Sequence, residues 1–337
     1  MSLKTNNDRR MVHYHQPVGL STLFRPLPKC DPENRPKLNV TYRAATGGPT
    51  LRFSAKAALG IPEQTLLLVL LELAKQQYEA FGNKMVLDSE AEGEFNQDLW
   101  SRLNKQNQLA DGQTLRLETT WYELNRQCGS QTGGSSRAMR EQQLERLCEV
   151  TVWEEEGDEK KTKRQSFLVV WLIGDDDRIH LALNSGLASA LLGKPYAQVS
   201  LGERLSLGRD IPMAVHTFLS TTVSYGNHLK VKVDTLVERL WPGCAESALS
   251  GTRRRRRKFV ADALDDIGRL NEWTVQWERD DLAQVTRHSL GVTDMTSHIG
   301  NKSMSYRERA LPIIINKNKE LQSFDVSGLF FNNNTGA

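Results

Sequence analysis

Apolar positions along the chain fall into runs whose period changes in a fixed order. Leu38, Val40 and Tyr42 alternate, as do Leu51 and Phe53, and Gly47-Gly48-Pro49 between them predicts a hairpin. A helix follows, with Pro62 in its first turn, Glu63 beside it and Gly82 as its stop. Its unbroken apolar stretch at 66–71 leaves no wet face, so this helix should be central to a core. Phe95, Leu99, Trp100 and Leu103 recur at helical spacing. Residues 114–118 then alternate as a short strand, and Thr119 and Thr120 can cap a helix carrying Trp121, Leu124 and Cys128. A Gly133-Gly134-Ser135-Ser136 turn leads into another helix that ends near Cys148. Residues 150–153 and 167–172 read as two strands joined by a charged loop. Helix, strand, helix, turn, helix, strand, loop, strand is the order of a winged helix-turn-helix.

The same order returns in the second half. Residues 211–224 are helical, with Ile211, Val215, Phe218, Leu219 and Thr222 on one side. Leu229, Val231 and Val233 alternate, Asp234 can cap a short helix, and Trp241-Pro242-Gly243 ends it. Residues 250–270 form the next helix, followed by a strand marked by Trp273, Val275 and Trp277 and a return strand over 282–286. The repeat is one of pattern rather than identity. It predicts an α+β chain with two tandem winged helix-turn-helix domains, at 37–195 and 196–287. Before them, residues 1–36 carry five of the eleven prolines and read as an arm with little regular structure. After them, residues 288–337 lose periodicity, grow rich in Ser and Asn, and read as a mobile or accessory tail.

Composition fits this picture without adding chemistry. The 337 residues, at 39% hydrophobic and 25% charged, suit roughly two globular domains. Four dispersed cysteines suit a reducing compartment and offer no zinc framework. No secretory signal opens the chain, and its most apolar run is far shorter than the ~20 residues that span a bilayer. The expected location is the bacterial cytoplasm, with no membrane partner.

A formal net charge of +3 argues weakly against a nucleic-acid coat, but the charge is unevenly placed. Arg253, Arg254, Arg255, Arg256, Arg257 and Lys258 are consecutive, and no acidic residue lies between Glu246 and Asp262. The run flows into an amphipathic pattern, with Phe259, Val260, Ala263, Leu264 and Ile267 facing inward. Cations at a helix N-terminus oppose its dipole by roughly 0.3–1 kcal/mol each and repel one another. A phosphate backbone reverses both terms. In helix-turn-helix proteins this end of the second helix enters the major groove. The helical wheel turns Arg254, Arg257, Lys258 and Ala261 outward, to face base edges, with Arg253 and Arg256 on the flank toward phosphates. Thr252 and Arg255 complete the expected DNA-contacting set.

The first motif carries a fainter version. Ser135, Ser136, Arg137 and Arg140 open its second helix, where Glu141 and Glu145 dilute the charge. Lys160, Lys161, Lys163 and Arg164 stand where a phosphate-gripping wing would lie. The acidic residues just before them equally suit a solvated hairpin tip. The second wing turn, Arg279-Asp280-Asp281, is acidic and should not hug DNA.

Enzyme signatures fail on spacing. Six residues separate Gly186 from Gly193 and Pro195 follows Lys194, whereas a phosphate loop needs four, then Ser or Thr after the lysine. His13-Tyr14-His15 has the form of a metal-dependent rolling-circle nickase, but it sits in the proline-rich arm without a downstream Tyr-x3-Tyr pair. No elbow, HExxH or compact carboxylate set is present, so no catalytic site, metal or cofactor is expected.

Several segments resemble replication protein C of IncQ-type broad-host-range plasmids. They include Gly19-Leu20, Leu23-Phe24-Arg25, 37–42, Glu145-Arg146-Leu147, 163–167, 181–184, Asp234-Thr235-Leu236, Trp241-Pro242, the basic helix and 268–275. The likeness runs in order from about residue 12 to 287. It implies a plasmid replication initiator that binds iterons in double-stranded origin DNA, opens adjacent AT-rich DNA and helps load a replicative helicase. Such a protein could act as a monomer on each repeat or as a homodimer or oligomer. The alternatives are a winged-helix transcriptional repressor and a nickase using His13 and His15.

Overall fold

The computed structural model describes residues 10–28, 34–44, 49–90, 92–103, 113–129, 134–156, 162–174 and 177–289. Its first elements are strand β1 (Met11–Tyr14) and helix α1 (Gln16–Leu20). The expected structureless arm is therefore partly built into the fold. β1 pairs antiparallel with β10 (Ala197–Ser200), a partner that local periodicity cannot reveal. Gly19 lets α1 approach the later helix α8 (Asp210–Thr222), because a Cβ there would lie 2.6 Å from Thr221 Oγ1.

The predicted hairpin forms as β2 (Leu38–Arg43) and β3 (Thr50–Ala55). Helix α2 (Ile61–Phe81) follows, and every residue of 66–71 is fully buried. β4 (Val86–Leu87), α3 (Glu94–Leu103), β5 (Thr114–Thr119) and α4 (Trp121–Gln127) come next, with Thr120 Oγ1 accepting from Glu123 N at 3.2 Å as the expected cap. Helix α5 (Gly134–Cys148) leads to β6 (Thr151–Glu156), β7 (Thr162–Phe167), β8 (Val169–Ile173), β9 (Ile179–Leu183) and α6 (Ser185–Leu191).

These strands make two antiparallel sheets, ordered β2-β3-β6-β7 and β4-β5-β9-β8. The single strand expected at 167–172 is thus divided between them. Leu168 is the switch point: its N–H donates to Val150 O, and its carbonyl accepts from Asn184 N, both at 2.9 Å. Asn184 Nδ2 secures the crossing by donating to Ser166 Oγ and Phe167 O.

The second half follows the expected order closely. After α7 (Leu201–Ser206) and α8 come β11 (His228–Lys232), α9 (Val233–Leu240), α10 (Cys244–Ser247), α11 (Ser250–Ile267), β12 (Trp273–Arg279) and β13 (Leu282–Arg287). The strands form one antiparallel sheet, β11-β13-β12. One continuous apolar cluster runs from Val12 through α2 to Val285.

Two buried arginines tie early and late segments together through neutral acceptors. Arg204 donates to Gln64, Thr65 and Thr217. Arg239 donates to the carbonyls of Gly19, Leu20 and Ser21 and lies 4.3 Å from the centre of the Phe218 ring. Burial lowers both guanidinium pKa values to about 10.

Candidate nucleic-acid interface

Helix α11 is fixed by its inward stripe of Val260, Ala263, Leu264 and Ile267, all fully buried. Those positions fill the inward face at helical spacing. Phe259, expected among them, is one step off that stripe and remains exposed. It borders a shallow groove with Arg209, Ile211 and Pro212.

The basic run divides into anchored and free side chains. Arg253 Nη1 donates to Ala245 O at 3.1 Å, and Arg256 stacks over Trp241 with its guanidinium carbon 5.0 Å from the ring centre. Arg257, expected to face outward, pairs with Asp234 of α9 at 2.5 Å and is only partly exposed. Arg254, Arg255 and Lys258 are exposed and have no side-chain partner among the described residues. Thr252 and Ala261 are half-buried beside them. The first turn of α11 holds no acidic residue, and its N-cap, Leu249, supplies no side-chain hydrogen bond. These uncompensated cations suit a polyanion.

The anchors come from α9, α10 and the turn between them. Glu238 accepts from Gly243 N and from Ala245 N, fixing that turn. Pattern reasoning offers Asp234 only as a cap; its role as the counter-ion of Arg257 depends on how α9 meets α11.

The first motif presents a thinner surface. Ser135 is exposed and Ser136 half-buried. Arg137 is exposed but paired with Asp177 at 3.3 Å, and its guanidinium carbon lies 5.7 Å from the centre of the Trp121 ring. Arg140 is a correction. It is buried, with Nε donating to Asn125 and Nη1 to Gln143, because its position falls on the inward face of α5. Lys160 and Lys161 lie outside the described residues, while Lys163 and Arg164 lie in β7, opposite Glu155 and Glu154 in register.

The histidine triplet lies on and just after β1. His13 stacks on Tyr196 with ring centres 3.6 Å apart, and burial, then the Lys75 charge, lowers its pKa to about 4. Burial, then Lys194, does the same to His15, while Tyr14 is fully buried between them. Among the described residues no group of three or more His, Cys, Asp or Glu is placed to hold a metal. No helix among them is long and apolar enough to cross a membrane.

The site is therefore a polyanion-facing basic helix seated on a small α+β unit. Residues 7–288 match the family model of replication protein C (RepC), and the chain belongs to that family. It is a replication initiator. No curated protein matches it in sequence. Among solved structures it is similar to the crystal structure of RctB domains 2 and 3, with 10% identity and a TM-score of 0.47 over 81% of this chain and 96% of that one. A selenomethionine derivative of the same RctB domains matches at 10% identity and a TM-score of 0.46, over 79% and 94%.

Proposed function

We propose that the chain is the initiator of an IncQ-type plasmid and binds iteron repeats at its origin through two tandem winged helix-turn-helix domains. On this reading the domains span 37–195 and 196–287. The bound protein opens adjacent AT-rich DNA and helps recruit the replicative helicase, with no catalysis of its own. The observation that carries the reading is the set of unpartnered cations, Arg254, Arg255 and Lys258, at the start of α11. α9 and α11 serve as the helix pair of the second domain, and the hairpin of β12 and β13 serves as its wing. The N-terminal turns of α11 then enter the major groove, with Arg254 placed to meet guanine O6 and N7.

Titration of an origin duplex across salt concentrations tests this. Replacing Arg254, Arg255 and Lys258 together by Ala should shallow the slope of log K against log salt by about three, near one per lost phosphate contact. An unchanged slope would remove α11 from the interface.

A further inference from the structure

Among the described residues Leu249 is the most exposed large hydrophobic side chain, at 82%. Isolated apolar residues on a surface are ordinary, so exposure alone says little. Position makes it informative. Leu249 is the N-cap of α11, where Ser, Thr, Asp or Asn stabilises a helix by about 1 kcal/mol relative to an apolar residue. Leucine therefore serves neither the core nor the cap.

Leu249 is also held in place. The preceding turn is pinned by buried Cys244 and by Glu238, which accepts from Ala245 N at 3.1 Å. Arg253 closes the other side, its backbone N–H donating to Leu249 O at 3.0 Å and its guanidinium to Ala245 O. A rigid segment thus presents an apolar side chain a few residues before the unpartnered Arg254 and Arg255. A ligand matching that surface carries anionic groups and one apolar group. On the major-groove edges of DNA bases that apolar group is the C5-methyl of thymine.

We propose that Leu249 is a specificity-determining residue that packs against a thymine methyl group. The inference rests on the reading of α11 as the helix that enters the major groove. Its test uses the full chain and a duplex that this chain enriches from a random-sequence pool, made with thymine or with deoxyuridine throughout. Removing the methyl should weaken the unaltered protein by about fourfold for the one contact Leu249 makes, the worth of one buried methyl group. Leu249→Ser should bind more weakly than the unaltered chain on the thymine duplex and lose that fourfold factor in the comparison. The difference between the two proteins isolates this contact from methyl contacts made elsewhere. Because serine can cap α11, the variant should melt no lower than the unaltered chain, which separates lost reading from lost folding. An equal thymine-to-uracil loss in both proteins overturns the role of Leu249 alone. Failure to enrich any duplex, even at low salt, overturns the DNA reading and this inference with it.

Discussion

Adjacent arginines in this chain do different work because their neighbours differ. Arg253, Arg256 and Arg257 spend their donors or ring faces on Ala245, Trp241 and Asp234, whereas Arg254 and Arg255 point to solvent. Arg254→Ala should therefore reduce discrimination between DNA sequences. Arg255→Ala should weaken all sequences alike and lower the salt slope by about one, measured by anisotropy titration. Arg140 belongs to stability instead. Arg140→Ala removes buried hydrogen bonds to Asn125 and Gln143 and should cost about 1–3 kcal/mol in denaturant unfolding. Binding per folded molecule should not change.

Helices and strands were legible where their signal is local. The apolar run of α2, the capped start of α4 and the wheel of α11 each identify an element from neighbouring residues alone. Pairings between distant segments were not legible. Nothing within 11–14 announces a partner at 197–200, and nothing in the apolar pattern marks Leu168 as the point where one sheet passes to another. The candidate site was likewise half visible. The basic run can be read directly, but its division depends on α9 and α10 docking against α11. Buried charge at the start of α2 follows the same rule. Glu63 is fully buried and accepts from Gly60 N, Arg35 and Arg146. Glu63→Gln leaves those guanidinium groups without their counter-charge, so stability should fall by about 3 kcal/mol in urea with the m-value unchanged.

Across the whole molecule the N-terminal segment works as a tie between early and late elements. β1 pairs with β10, α1 packs on α8 through Gly19, and Arg239 of α9 holds the end of α1. His13 and His15 make that tie sensitive to acid. Their pKa values, about 4 against an ordinary 6.5, mean the folded chain keeps both rings neutral. Their contribution is whole above pH 6.5 and declines as pH falls toward 4, since the unfolded chain binds protons first. Melting temperature should drop over that window, and the drop should be shallower in His13→Gln and His15→Gln. The most direct measurement of the central claim is a nuclease footprint of the chain, at fixed salt, on the origin of the replicon that encodes it. The account predicts evenly spaced protection over direct repeats, lost when Arg254, Arg255 and Lys258 are replaced. Protection of a single inverted site, or of no repeat at all, would contradict it.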